Sequence, residues 1–302
     1  MLKIRIRCLP ATLLVFLIAG AGAAQQVSTI ATVDAGSGGL TVGPDGTVYT
    51  SDFGPFLGNS PETGTRIHRV TPSGETSVFA DGLNGASGSE WGADGAFYQS
   101  NIRGNVISRI EGGRVETFAS EGFQNPVGIV QRPDGTFLVA NCGSASIQQV
   151  APDGTSTRFV QSSLLACPNG ITLDSDGNAY VANFMNGNVV KVTPQGEASV
   201  LAEIPGNNNG HLFFHDGVLW VVARSAHQIY RVTLAGEIEL VAGSGEKGGA
   251  DGAAAEASFC FPNDLGFSPD GRYLYVNDVA DESSNGQKLG PTRIRRIDLG
   301  AR

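Results

Sequence analysis

Basic residues are scarce in this chain. Its 302 residues carry 20 Lys and Arg against 29 Asp and Glu, a formal net charge of −9. That excludes nucleic acid as an expected partner, because such binding rests on neutralising phosphates with Lys and Arg. The acidity suits cationic ligands or simply a charged surface that aids solubility. Long apolar runs are missing beyond the first residues: after residue 24 nothing approaches the roughly 20 residues that span a bilayer, so stable membrane insertion is not expected. Heptad patterns, linkers and low-complexity tracts are also missing, which leaves no place for a coiled coil or a second domain. Cysteine is rare, with four residues in the whole chain.

What is present begins with a leader. Lys3, Arg5 and Arg7 precede an apolar run from Leu13 to Ile18 and the small residues from Ala19 to Ala24. This pattern reads as a signal peptide over residues 1–24, with a single exported domain over 25–302 in the periplasm or secreted. Cys8 leaves with the leader. Cys142, Cys167 and Cys260 remain in a compartment that permits disulfides, and their odd number allows one internal bridge at most. Cys142 and Cys167 belong to one mouth on neighbouring repeats, where a bridge and two packed thiols are both open.

One strand–turn–strand unit is written six times. Its turns carry Asp45-Gly46, Asp94-Gly95, Asp134-Gly135, Asp176-Gly177, Asp216-Gly217 and Asp270-Gly271, spaced by 40 to 54 residues. Six residues before these aspartates stand Gly39, Gly88, Gly128, Gly170 and Gly210, with Asp264 in the last repeat. Asp-Gly between β-branched and aromatic runs predicts a tight hairpin with positive φ at both turn residues. Two further strand-like runs follow each hairpin, giving four strands per unit. Repeats of this length and pattern predict an all-β, six-bladed β-propeller. Val27–Ala31 resembles a fourth strand and should complete the last blade, which hides the edges that a linear stack would expose. Gly243–Gly252 reads as a long loop leading into blade six.

In a propeller the first residue of each inner strand and the loop after each second strand reach the same mouth. The positions just before the glycines hold Gly38, Ser87, Val127, Asn169, Asn209 and Asn263. Together with Asp264, these amides form a set of hard oxygen donors suited to Ca²⁺ or another divalent metal, or else they cap local turns. The second strands end in Asp52, Asn101, Asn141, Asn183, Ala223 and Asp278, whose repetition points to hydrogen bonds with the following loop. Blade five departs furthest from the pattern. Its Arg224 is a candidate for holding an anion or a developing oxyanion, and His211 or His227 for a general base, unless these histidines are simply packed. Glu90 stands within an inner strand, where burial would demand a partner or a raised pKa, unless the strand tilts it outward.

Pro168-Asn169-Gly170-Ile171 and the run from Pro262-Asn263-Asp264 through Asp270-Gly271 to Val276 resemble the regucalcin/gluconolactonase propellers. Val241 to Ala257 also resembles NHL-type repeats. The first resemblance implies a lactonase whose Ca²⁺ polarises the lactone carbonyl, with Asn169 as a ligand. Asn209 and Gly38 fall where that family has an aspartate and a glutamate, so two expected carboxylates are absent, and Asp264 would restore one charge. Three readings follow: a metal-assisted hydrolase of a lactone or small ester, with Asn169, Asn209, Asn263 and Asp264 as ligands and Asp264, His211 and Arg224 as catalytic groups; a non-catalytic propeller binding a protein, peptide or glycan; and a lyase. A monomer is expected.

Overall fold

The computed structural model describes residues 25–57 and 62–300, so the leader lies outside the described residues. Six antiparallel sheets follow one another around a central channel, which makes the chain a six-bladed β-propeller. Blade two shows the plan. Ala86–Trp91 lines the channel, Phe97–Asn101 and Val106–Glu111 follow outward, and Arg114–Ala119 forms the rim. Every residue of the second strand is buried, because each sheet is covered on both faces by its neighbours. The apolar cores therefore lie between blades. One of them joins Tyr98 and Ile107 of blade two to Ile129, Phe137 and Val139 of blade three.

Blade six is built from both ends of the chain. Gln26–Val33 pairs antiparallel with Thr292–Asp298, so the N-terminal strand closes the ring as the sequence predicts. The glycine-rich loop adds a finer seal. Gly252–Ala253 pairs with Gln26 and Val27 on the outer side, and Asp251 accepts hydrogen bonds from the Thr29 amide and hydroxyl. The exposed edge of the closing strand is thus covered.

The turns depart from the expected two-residue form in five blades. In blade one Gly46 N–H donates to Gly43 O and Gly43 N–H to Thr47 O, and of Asp45 and Gly46 only the glycine has positive φ. Asp45 instead folds back to accept the Thr47 amide, as Asp94 and Asp134 do for Ala96 and Thr136. These are longer loops with the aspartate as an Asx cap and the glycine in the left-handed region. Blade five alone has the expected turn: Asp216 and Gly217 both have positive φ, and His215 pairs directly with Val218.

The inner strands explain the glycine column. In four blades the ladder between inner and second strand breaks just after the first residue, as between Pro126 and Ile129. The freed carbonyls turn to the preceding blade: Ser87 O accepts the Gly39 N–H, and Asn263 O the His211 N–H. A Cβ on Gly128 would stand 2.5 Å from Asn169 O, and one on Gly170 2.5 Å from His211 Cα. No side chain fits there. We expect Gly128→Ala to lower stability by about 2 kcal/mol through overpacking against backbone. Urea unfolding should show this loss relative to Gly95→Ala, where open space limits the cost to left-handed strain.

Candidate functional site

The channel holds a cavity at each end, and the sequence candidates divide between them. The loop-side cavity, about 220 Å³, is lined by Phe53, Leu57, Ile102, Phe184, Met185 and Leu289 with Ser37, Ser87, Asn169, Arg224 and Asn263. The hairpin-side cavity, about 170 Å³, is lined among others by Glu90, Trp91, His211, Phe213, Asp264 and Phe267.

Two short 3-10 turns shape the loop-side mouth. Cys142–Ser144 follows the second strand of blade three and Arg224–Ala226 that of blade five. The first presents Cys142, which is disulfide-bonded to Cys167 of blade four, while Cys260 is free and buried. A bridge between residues 25 apart in sequence contributes about 3 kcal/mol, and it fixes the cavity wall. The second turn presents Arg224. Its guanidinium donates to Phe261 O at 3.1 Å and Gly286 O at 3.4 Å, and lies 5.4 Å from the Phe261 ring centre. The side chain is 2% exposed, yet no carboxylate lies within ion-pair distance of it among the described residues. Burial without a paired anion pulls its pKa down to about 10. Arg224 also lines an adjoining polar groove of about 320 Å³ with Asn207, Asn208, Ser225 and Asn285, so it stands at the junction of an apolar pocket and a polar one.

Asn169, Asn209, Asn263 and Asp264 do not share one cavity. Asn169 and Asn263 line the loop side, where their amide nitrogens donate to Asn209 O and Gly38 O. Asn209 turns back to donate to Asn188 O. Asp264 lines the hairpin side, where its carboxylate accepts the amides of Leu40 and Leu265. In the other blades that position is a glycine; here a side chain supplies the bond between blades six and one. A divalent cation at the loop side would meet two amide oxygens, no carboxylate and a buried guanidinium, a donor set that does not fit it.

The predicted catalytic residues divide in the same way. His211 and Asp264 meet, with Nδ1 and Oδ2 3.2 Å apart, while Arg224 lies at the other cavity. Burial pushes the His211 pKa down to about 4, so the ring is neutral near pH 7. Burial pushes the Asp264 carboxyl up, opposed by its two backbone donors and reinforced by Glu90. His227 packs edge-on against Phe261 with Nδ1 buried and unpartnered, but it lines neither cavity.

The second-strand polar residues are structural, with one correction. They mainly hold the loop that precedes the inner strand of their own blade. Asn101 Oδ1 accepts the Asn84 amide, Asn141 Oδ1 that of Gln124, and Asp278 those of Cys260 and Phe261. The following loop receives fewer bonds, such as Gly54 N–H to Asp52. Asp278 also meets the buried Arg295, whose other nitrogen reaches Asp251. Neither Asp52 nor Asp278 lines a cavity at the channel.

Glu90 is only partly accessible, and its carboxyl has no hydrogen-bond or ion-pair partner among the described residues. Burial raises its pKa from 4.5 to about 8. The folded state therefore binds a proton that the unfolded chain releases, so this contribution to stability is full below pH 4.5 and is lost as pH rises towards 8. We expect Glu90→Gln to gain at least about 1.4 kcal/mol on the wild type at pH 8, the equivalent of one pKa unit, and much less at pH 4.5. Urea titrations at the two pH values measure the difference.

A family profile described as "Virginiamycin B lyase family" matches residues 23–246. No curated protein matches the chain. Among solved structures, a catalytically inactive virginiamycin B lyase from Staphylococcus aureus with quinupristin is 17% identical, with a TM-score of 0.61 over 91% of this chain and 99% of that one. A gluconolactonase from Xanthomonas campestris is 13% identical, with a TM-score of 0.67 over 91% and 89%. An auxiliary nutrient binding protein from Bacteroides ovatus is also 13% identical, with a TM-score of 0.70 over 91% and 76%. At such identities these likenesses show the fold alone.

Proposed function

The chain belongs to the virginiamycin B lyase family, and on that premise we propose that it is an exported enzyme of the lyase or lactonase type that opens an ester bond of a small molecule at its loop-side mouth. The observation that carries this reading is Arg224, a buried guanidinium without a carboxylate partner at the junction of an apolar cavity and a polar groove. Elimination takes a proton from the carbon next to the alkyl C–O bond and breaks that bond to leave a double bond and a carboxylate. Hydrolysis adds water to the carbonyl and breaks the acyl C–O bond to leave a carboxylate and an alcohol. Both build negative charge on the ester oxygens as the ring opens. A preorganised, desolvated guanidinium stabilises such charge far better than water does. Its anchoring to Phe261 O and Gly286 O fixes the orientation in advance. The apolar wall of Phe53, Leu57, Phe184 and Met185 would take the body of the substrate, and the groove of Asn207, Asn208 and Ser225 its polar parts.

No step is assigned to a metal, because in the loop-side cavity the amide oxygens of Asn169 and Asn263 are joined by no carboxylate among the described residues and face the Arg224 guanidinium. The Cys142–Cys167 disulfide supports the reading of residues 1–24 as an export signal and a periplasmic or secreted location.

A second reading, a non-catalytic small-molecule binder, is favoured by one observation: no histidine or carboxylate lines the loop-side cavity among the described residues. A panel of lactones and cyclic depsipeptides separates the two. We expect turnover by the wild type, a fall in kcat/KM of about 100-fold for Arg224→Leu, and partial recovery for Arg224→Lys. Binding without turnover, detected by calorimetry on the same panel, selects the binder. Turnover unaffected in Arg224→Leu removes the assigned role.

A further inference from the structure

The opposite end of the channel is a second built site. The hairpin-side cavity carries two carboxyl groups, Glu90 and Asp264, and no lysine or arginine in its lining. Asp264 is occupied by backbone amides and by His211, but Glu90 is unpartnered and still accessible. His211, whose side chain is 6% exposed, has an Nε2 with no partner in the same wall. The rest of the wall is largely aromatic and aliphatic. Trp91 and Phe267 line both this cavity and the wider depression beside it, which gives a route to solvent, and Phe213 adds a third ring.

We propose that this cavity binds a small organic ammonium ion, held between the Glu90 carboxyl and the rings of Trp91, Phe213 and Phe267. An unpaired carboxyl in a low-dielectric wall is costly as an anion and gains most from a cation brought to it. Aromatic faces add attraction for an ammonium group that carries alkyl substituents, because its charge is diffuse and its body is apolar. A bare metal ion is less suited, since no group of three His, Cys, Asp or Glu among the described residues is placed to hold one. The chain's net charge of −9 would draw cations towards either mouth. This site is independent of the loop-side reading, because the two cavities share no lining residue.

Binding should also be linked to proton release. Glu90 holds its proton up to about pH 8 in the empty cavity, and Asp264 and His211 face it across the channel. The cation favours the ionised carboxylate, so affinity should rise with pH towards that value.

The probe is n-butylammonium, with neutral n-butanol as control, titrated into the protein by calorimetry and followed by NMR shifts at Trp91. We expect saturable binding of the ammonium and not of the alcohol, binding at about pH 8.5 at least tenfold tighter than at about pH 6, and at least tenfold loss in Glu90→Gln. Circular dichroism and the unfolding midpoint confirm that the variant is folded. Phe213→Ala, at a partly exposed ring, should weaken binding several-fold without loss of the fold. The proposal is overturned if the wild type shows no saturable binding, if butanol binds equally well, if Glu90→Gln binds unchanged, or if Ca²⁺ displaces the ammonium from the Trp91 signal.

Discussion

The close approach of one inner strand's backbone to the next is the contact on which the rest of this molecule depends. Where the ladder breaks near the start of an inner strand, carbonyl and amide groups are released from their own sheet and face the neighbouring blade. Backbone can meet backbone there only if one partner lacks a Cβ, and Gly39, Gly88, Gly128, Gly170 and Gly210 supply that absence in turn. The sixth junction breaks the rule. Asp264 stands in the glycine column and bonds Leu40 through its carboxylate, so the ring is closed by a side chain at the seam where the N-terminal strand also enters.

That seam has a chemical consequence. The Asp264 carboxyl lies against His211, and burial together with the nearby Glu90 pushes its pKa up. The structural solution to closing the ring therefore concentrates ionisable groups at the hairpin end. The loop end follows a different logic. Blade five ends its second strand in Ala223 instead of an Asx residue, and the short turn that follows delivers Arg224 into an apolar cavity. The two departures from the repeat thus produce two unlike cavities, one acidic and aromatic, the other apolar with a single cation.

The fold was legible because it is written in local terms repeated six times. Glycine spacing, turn residues and alternating strands each act over a few residues, and their register survives without insertions in most blades. The finer turn geometry was less so. Asp-Gly predicts positive φ at both residues, but residues such as Pro44 ahead of the pair lengthen the loop and leave only the glycine left-handed. The polar groups at the ends of the second strands bond the following loop, as their repetition predicts, but bond the loop before their own inner strand more often. A side chain at a strand end is equidistant in sequence from nothing in particular, and only packing places the preceding loop beside it.

Sequence by itself determined the architecture, the closure by the N-terminal strand, and which positions depart from the repeat. Tertiary structure decided which of those positions meet. Asn263 and Asp264 are adjacent in the chain yet line opposite cavities, and His211 joins Asp264 while Arg224, thirteen residues on, faces the other mouth. The reason is the pleat and its break at the inner strand: neighbouring residues project apart, and convergence is set by curvature and blade packing, which no single repeat encodes.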